Sequence, residues 1–222
     1  MHFSRNASAV VDSRWIDCSR LRAISGMRTL SSNPLDLVRA WYEEAVAEGL
    51  FEPDAMALAT ASPDGMPSVR IVLLKGIDDR GLRFFTNYGS RKGRELAANP
   101  RAAVTIHWAT MHRAVRAEGA VEQLTGEESD AYFASRGRES RIGAWASRQG
   151  TPIPDRSALE AAFAEADEHY PGEDVPRPDY WGGYRLVPSA VELWQGRPNR
   201  LHDRTHWVRE PGGGWRTERL SP

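Results

Sequence analysis

The chain has 222 residues, 41% of them hydrophobic and 27% charged, and its formal net charge is −1. This composition is ordinary for a globular protein, and a net charge near zero gives no general attraction to nucleic acid or to an anionic membrane, so any anion site must be local. With one cysteine and no apolar run close to the ~20 residues of a membrane span, the sequence excludes an internal disulfide and predicts a cytoplasmic protein.

Residues 1–32 show no sustained hydrophobic period and many polar side chains. We interpret them as a mobile N-terminal arm that lacks the continuous apolar stretch of a signal peptide. Met27 is an alternative start, because nothing before it has the pattern of a structural element. The pair Asn33-Pro34 then predicts the beginning of a helix, capped by the asparagine, which ends near Gly49.

Short strands dominate the next part of the chain. The hydrophobic period changes at Ala55, and turns such as Pro63-Asp64-Gly65 separate the apolar segments. Five strands are predicted at 56–61, 68–75, 82–87, 102–108 and 114–122, with a short helix at 90–98. Short strands joined by tight turns are typical of an antiparallel barrel or sandwich, and they argue against alternating βαβ units.

Helical patterns return in the second half of the chain. Thr125 with Glu128 forms a capping box, and Ser157 with Glu160 forms a second cap pair. Three helices are predicted at 125–135, 138–147 and 157–169, followed by a proline-rich connector at 171–178. Strands are then predicted at 184–186, 190–194 and 207–219, the last interrupted at 211–214. We therefore predict one domain over residues 33–222, of mainly β class with flanking helices.

Candidate chemistry begins with basic residues at strand ends. The histidines and the cysteine never fall at the spacings of metal ligands, and G-x-S-x-G, P-loop and G-x-G-x-x-G motifs are absent. Arg70 and Lys75 flank the apolar run Ile71-Val72-Leu73-Leu74 and point to opposite faces of an ideal strand. Arg91 and Lys92 stand at a predicted helix start, where free N–H groups and the helix dipole favour a phosphate. Taken alone, each pair is more often a solvated surface charge.

Two further groups combine hydrogen-bond donors with aromatic rings. Tyr132, Arg136 and Ser140 are spaced four residues apart and share one helical face if the glycine between them does not break the helix. Arginine binds phosphate in a bidentate fork. Segment 191–196, which includes a tryptophan, precedes the dense Arg/His run 200–204. A capped helix end and a core tryptophan with a charged loop remain the alternatives, so the residues alone indicate only an anionic ligand beside aromatic rings.

Several of these segments together resemble the pyridoxamine 5′-phosphate oxidase family. Glu192-Leu193-Trp194-Gln195, four spacer residues and then Arg200-Leu201-His202-Asp203-Arg204 are close to that family's signature. Further family-like segments, in the family's order, are 70–75, 86–87, 89–92, 142–145, 181–183 and 219–222. The similarity runs from about Pro34 to Pro222, and several motifs in one order are far more specific than any single one.

The resemblance implies an FMN-binding split β-barrel that forms a homodimer with FMN at the subunit interface. It implies oxidation of pyridoxine or pyridoxamine 5′-phosphate to pyridoxal 5′-phosphate by O2, with release of H2O2. By matched position, the implied FMN-binding residues are Arg70, Ile71, Val72, Leu73, Leu74, Lys75, Phe85, Thr86, Arg91, Lys92, Gln149, Trp194 and Arg204. The implied substrate-phosphate residues are Lys75, Tyr132, Arg136 and Ser140, and the implied catalytic pair over the substrate ring is Arg200 and His202.

The chain departs from the family's pattern at two places. Ala114 follows Arg113 where the family usually has glutamine, so we expect one flavin contact to be lost. Residues 27–31 lack the tyrosine of the family's Met-Arg-x-x-Tyr segment, which covers the substrate, so we expect weaker closure of that lid. The alternatives are a related flavin oxidase of secondary metabolism, of the phenazine-forming branch, acting on a non-phosphorylated substrate, and a flavin- or pyridoxal-phosphate-binding carrier with weak turnover.

Overall fold

The computed structural model describes residues 33–222, so the predicted arm at 1–32, with Met27, lies outside the described residues. The helices are α1 (Pro34–Ala47), α2 (Arg91–Ala98), α3 (Gly126–Ala134), α4 (Arg138–Ala146) and α5 (Arg156–His169). The strands are β1 (Ala55–Ala61), β2 (Pro67–Leu73), β3 (Gly76–Ile77), β4 (Leu82–Asn87), β5 (Arg101–Trp108), β6 (Arg113–Gln123), β7 (Trp181–Gln195), β8 (Asp203–Arg209) and β9 (Trp215–Arg219). The predicted class, mainly β with flanking helices, is confirmed.

All nine strands described belong to one antiparallel sheet. Its order is β2-β1-β5-β6-β7-β4-β3, and β8 pairs with both β7 and β9. The long strand β7 pairs with β4 over its first half and with β8 over its second half. Because β7 exchanges one neighbour for another along its length, the sheet branches there. The branch separates the β4 side of the sheet from the β8–β9 hairpin.

The predicted strands at 184–186 and 190–194 are wrong as separate elements, because β7 runs without interruption through Pro188. Proline cannot donate a hydrogen bond to the ladder, so it normally indicates a strand end. Here Pro188 stands opposite Gly119, where the register between β6 and β7 shifts by a bulge. The predicted strand 207–219, with its interruption at 211–214, is the hairpin of β8 and β9, whose turn includes Gly213 and Gly214 at φ of +85° and +84°.

Local capping chemistry was predicted correctly for two helices and wrongly for one. Asn33 caps α1 by accepting the Leu35 N–H at 3.1 Å, and the Thr125–Glu128 capping box at α3 is present. Helix α5 begins one residue earlier than predicted, because Asp155 rather than Ser157 accepts the Ala158 N–H, at 2.9 Å.

The end of β2 places the first part of the site. The predicted strand 68–75 stops at Leu73, because the chain changes its pairing partner there. The Leu74 N–H donates to the Asp54 carbonyl, beside β1, whereas the Lys75 N–H donates to the Arg83 carbonyl on β4, both at 2.8 Å. Lys75 therefore stands at the corner where the sheet passes from β2 to β4.

One face of the sheet and the buried side of α1 form the main core, which includes Leu35, Val38, Met56, Leu58 and Phe84. On the edge strand β2, Val72 joins this core, whereas Val69, Ile71 and Leu73 are exposed, by 69%, 64% and 40%. No helix among residues 33–222 has the length and apolar character needed to cross a membrane. The same residues contain no cluster of three or more His, Cys, Asp or Glu side chains suited to a metal ion.

Candidate active site

A cavity of about 620 Å³ opens between the β2–β4 corner, the start of α2 and the α3–α4 helices. Strands supply one wall and helices the other, so residues far apart in the chain meet there. The predicted site residues that line it are Ile71, Val72, Leu73, Lys75, Phe85, Thr86, Lys92, Tyr132, Arg136, Ser140 and Gln149. The structure thus brings together most of the predicted cofactor residues with the predicted substrate-phosphate residues.

Lys92 is a buried cation on the strand side of the cavity, with 7% of its surface exposed. Its Nζ donates to Thr86 Oγ1 at 3.1 Å and to Gln149 Oε1 at 2.9 Å, and both partners are neutral. No carboxylate forms an ion pair with it in the described part of the chain. Burial, and then the charge of Arg70, lower the pKa of Lys92 to about 8. A buried lysine without a counter-ion is costly, and a bound anion would remove that cost.

The helix wall carries Tyr132 and Arg136, which the structure places as predicted at the same cavity. They do not share one helical face with Ser140, because α3 ends at Ala134 and Gly137, the residue that the sequence offered as a break, is the N-cap of α4. Ser140 nevertheless reaches the cavity from α4. Tyr132 stacks on Phe85 of β4, with ring centres 3.8 Å apart, and so forms an aromatic surface between the strand and helix walls.

Arg136 is the second cation that lines the cavity without an acidic partner in the described chain. Its Nη1 is buried and donates to no acceptor in this part of the chain. Burial lowers the pKa of the Arg136 guanidinium, although the nearby Tyr132 opposes this shift. Its carbon Cζ lies 4.8 Å from the centre of the Trp181 ring. An unpaired donor at a cavity wall is the feature expected where a ligand supplies the missing acceptor.

Lys75 also lines the cavity, but its charge is already paired. Its Nζ lies 2.6 Å from Asp54 Oδ2. Arg70 lies on β2, which ends before Lys75, and donates to Thr60 Oγ1 at 2.6 Å. Arg70 therefore does not line the cavity in the single chain.

Arg70 and Arg91 meet at one carboxylate instead. Glu95 lies 3.3 Å from Arg70 Nη2 and 2.8 Å from Arg91 Nε. Burial raises the pKa of Glu95, but hydrogen bonds from Ser68, Thr60 and Arg91 outweigh it and lower the pKa to about 2. Neither arginine lines the cavity in the single chain. Leu74, another predicted cofactor residue, is a core side chain rather than a cavity residue.

The remaining predicted residues form a second group at the far end of β7. The Trp194 and His202 rings are 4.7 Å apart, and His202 Nδ1 accepts the Arg197 N–H at 3.1 Å. Arg200, which lies between Arg197 and His202 in the chain, has a left-handed backbone conformation, with φ of +62°. In one chain, neither this group nor Arg204 lines the cavity.

Arg204 and Ala114 stand beside that second group. The Arg204 guanidinium donates to both oxygens of Glu192, at 2.8 and 3.0 Å, and this hydrogen bonding holds the pKa of the buried Glu192 below its usual value. Ala114 is buried on β6, directly opposite Trp194 in the register. A longer side chain at 114 would therefore emerge next to Trp194.

Six cavity residues were not among the predicted site residues: Asn87, Gly137, Gly143, Ala144, Ser147 and Trp181. Asn87 uses its Oδ1 to accept the Gly89 N–H at 2.8 Å, while its Nδ2 is buried without an acceptor among the described residues. Asn87 and Trp181 belong to the family-like segments 86–87 and 181–183. The sequence therefore pointed to both residues, but the resemblance assigned neither of them a contact with cofactor or substrate.

Comparison with known proteins places these features in a family. A family model described as pyridoxamine 5′-phosphate oxidase matches residues 42–170. A second model, described as the pyridoxine 5′-phosphate oxidase C-terminal dimerisation region, matches residues 181–222. A pyridoxine/pyridoxamine 5′-phosphate oxidase from Cupriavidus taiwanensis is 57% identical over 193 residues, which cover 87% of this chain and 91% of that protein.

Solved structures of similar fold include PhzG from Burkholderia lata 383, in complex with tetrahydrophenazine-1-carboxylic acid. It has a TM-score of 0.83 and 35% identity, and the match covers 87% of this chain and 95% of that one. A pyridoxamine 5′-phosphate oxidase-related, FMN-binding protein from Nostoc punctiforme has a TM-score of 0.71 at 19% identity, covering 85% of this chain and 97% of that one, and shows the fold alone. The predicted split-barrel architecture is confirmed by these similarities.

Proposed function

Because the chain belongs to the pyridoxamine 5′-phosphate oxidase family, we propose that it is an FMN-dependent oxidase that converts pyridoxine or pyridoxamine 5′-phosphate to pyridoxal 5′-phosphate, using O2 and releasing H2O2. One observation carries the proposal. Lys92 is buried and Arg136 is partly buried with a buried Nη1, neither has a carboxylate partner in the described part of the chain, and both line one cavity beside an aromatic surface. A phosphorylated flavin and a phosphorylated pyridine supply the two anions and the rings that such a cavity fits.

FMN fits the strand side of the cavity. Lys92, Thr86 and Gln149 form a donor and acceptor cluster there, and the apolar residues 71–73 end beside it. Arg70 and Arg91 both pair with Glu95 and do not line the cavity in the single chain. We assign the strand wall to the cofactor. When bound, FMN would accept the hydride that leaves the substrate carbon C4′ and pass the electrons to O2.

The helix side fits the substrate phosphate. Arg136 offers a guanidinium without an acidic partner, and Tyr132 and Ser140 add hydroxyl groups. Lys75 contributes less net charge, since Asp54 lies 2.6 Å away. These side chains bind the dianion and so orient the reacting carbon toward the strand wall, where the cofactor is assigned.

A second copy of the chain completes the site in this proposal. Trp194, Arg200, His202 and Arg204 lie within the part that matches a dimerisation region, yet they do not reach the cavity of their own chain. In a homodimer, each chain would supply this group to the cavity of the other. A groove of about 340 Å³, with a floor of small apolar residues from β1, β5 and β7, lies beside the exposed β2 stripe and supports an interface on this side of the sheet.

Arg200 and His202 are the groups that we propose to act over the substrate ring. His202 Nδ1 accepts the Arg197 N–H, so in the neutral ring the proton is on Nε2, which is left to donate to the substrate. Arg200, with its charge unpaired in the described chain, adds a cation on the same side. The reaction is placed in the cytoplasm, in keeping with the single cysteine.

The purified protein should be yellow and dimeric, and should form pyridoxal 5′-phosphate while consuming O2. The substrate phosphate is tested by comparing pyridoxine 5′-phosphate with pyridoxine at one fixed O2 concentration. Discrimination in kcat/KM should be on the order of 10⁴-fold, because a site built for a polar group is left with unpaired donors when the group is missing.

Arg136→Ala should remove much of this discrimination and leave FMN content unchanged. Arg156→Ala is the matched control, because its guanidinium is exposed and pairs only with Glu160 on α5. A colourless protein that stays monomeric after addition of FMN would contradict the proposal. A protein that binds FMN and pyridoxine 5′-phosphate without turnover would indicate a carrier.

The second candidate is an oxidase of the phenazine-forming branch with a non-phosphorylated substrate. The 35% identity with PhzG and the alanine at position 114 favour it. The unpaired Arg136 argues against it, since a substrate without an anion leaves that donor unsatisfied. Equal rates on pyridoxine 5′-phosphate and pyridoxine in the wild type would make it the better assignment.

A further inference from the structure

We propose that Trp181 is a specificity-determining residue, which holds the Arg136 guanidinium against its indole face as an unpaired cation and thereby sets the preference for a phosphorylated substrate. The inference rests on the proposed function. It assigns to the first residue of β7 a part in recognition beyond the four residues matched to the substrate phosphate.

The geometry around Arg136 is aromatic rather than acidic. Its Cζ lies 4.8 Å from the centre of the Trp181 ring and 5.4 Å from that of Phe133. No Asp or Glu carboxylate lies within ion-pair distance of it among residues 33–222. Cations at such distances are attracted to the faces of aromatic rings. The rings therefore offset part of the cost of burying the guanidinium.

The kind of partner decides what Arg136 can do. A carboxylate would neutralise the arginine and compete with a phosphate for it, whereas an aromatic face stabilises the cation and leaves its N–H groups to donate. Lys75 of the same cavity provides the contrast, because its Nζ already forms an ion pair with Asp54 at 2.6 Å. Arg136 keeps a buried Nη1 without an acceptor. Trp181 thus preserves the charge that the phosphate needs.

Trp181 is itself firmly held. It pairs with Asn87 in the β4–β7 ladder, and its carbonyl accepts a hydrogen bond from Arg177 Nη1 at 2.7 Å. Its ring is 8% exposed, meets the Phe133 ring at 69° and lies nearly parallel to that of Phe85, 5.5 Å away. Because backbone and ring are both fixed, the position of Arg136 is set before a substrate arrives.

The experiment uses the FMN-loaded dimer and the substrates pyridoxine 5′-phosphate and pyridoxine. Trp181→Leu removes the aromatic face, and Trp181→Phe keeps a smaller one. Trp215→Leu is the matched control, because it removes a different cation–π contact. On the β8–β9 hairpin, Arg209 Cζ lies 4.4 Å from the centre of the Trp215 ring. FMN content, kcat and KM are measured separately for each protein.

We expect W181L to reduce the discrimination between the two substrates about tenfold, which lies between the values for exposed and for desolvated cation–π contacts. The loss should lie in a higher KM for pyridoxine 5′-phosphate, and kcat/KM for pyridoxine should change much less. W181F should recover most of the discrimination, and W215L should retain all of it.

A purely structural role predicts a different result. If W181L lowers kcat on both substrates and keeps their ratio, the inference is overturned while the proposed function stands. If the wild type itself does not discriminate, the proposed function fails, and the inference fails with it. Should W181L not fold, Trp181→Met, flexible and without an aromatic face, is measured in its place against the same two outcomes.

Discussion

The Lys92 ammonium group lies 2.9 Å from the side-chain oxygen of Gln149, and this hydrogen bond joins the start of α2 to the loop after α4. The two residues are far apart in the chain, and the contact closes the strand end of the cavity. Because the oxygen is neutral, the lysine keeps its charge unbalanced in the described structure. The pair therefore provides a direct way to test the assigned cofactor phosphate.

FMN affinity should fall as the pH rises through about 8. Burial lowers the pKa of Lys92 to about 8, so above that pH the free protein increasingly holds a neutral amine that cannot pair with a phosphate. Lys92→Arg keeps its charge over this range and should bind FMN with little pH dependence. Flavin fluorescence titrations between pH 7 and 9 measure the FMN affinity of the wild type and of Lys92→Arg. The same pH dependence in the two proteins would show that another group titrates.

The stability of the FMN-free protein should change with the opposite sign. Lys92 has a folded-state pKa of about 8 against 10.5 for the free side chain. Between these values the unfolded chain binds more protons, so the contribution of Lys92 to the free energy of unfolding rises with pH. Chemical denaturation of wild type and Lys92→Met across this window isolates the contribution, which the methionine variant should lack.

Glu95 should stabilise the protein down to strongly acidic pH. Its pKa is lowered from 4.5 to about 2, because the hydrogen bonds from Ser68, Thr60 and Arg91 outweigh the effect of burial. A lowered carboxyl pKa contributes stability that is complete above about 4.5 and is lost as the pH falls through 2. Glu95→Gln should therefore be less stable than wild type at pH 7, and the difference should shrink on acidification. Thermal unfolding at pH 7, 4 and 3 measures it, and a constant difference would contradict the assignment.

Arg200→Leu and His202→Leu should lower turnover much more than FMN affinity. Neither side chain contacts the cavity of its own chain, and both are assigned to the substrate side of the partner's site. Losing contacts made mainly in the transition state lowers kcat. Arg216→Leu, which removes an exposed arginine from β9, is the control. Mutants that lose FMN but turn over normally when saturated with it would refute the assignment.

Ala114→Gln should tighten FMN binding by ~1 kcal/mol, the usual net contribution of one hydrogen bond. Ala114 lies directly opposite Trp194 in the β6–β7 register, next to the group assigned to the cofactor. Ala114→Leu is the control, because it adds similar bulk without an amide. Unchanged or weaker affinity of the glutamine variant, by fluorescence titration, would mean that the site has repacked around the alanine.

Local patterns predicted much of the fold. The cap at Asn33 and the capping box at Thr125 set two helix starts correctly, since these hydrogen bonds form between residues two or three positions apart. Where a local signal competed with a distant one, the prediction was wrong. Pro188 resembled a strand end, yet the bulge opposite Gly119 lets β7 continue through it.

The sequence by itself determined the family, because its motifs occur in one order along the chain, and it determined which side chains are candidates for the site. Only the tertiary structure decided how they are grouped. Tyr132, Arg136 and Ser140 share a cavity across a helix break, while Trp194 and His202 form a separate cluster. The unpaired charge of Arg136 is likewise invisible in the sequence. Its partners come from α3 and from β7, and such contacts depend on strand pairing and packing between distant segments, which local spacing does not encode.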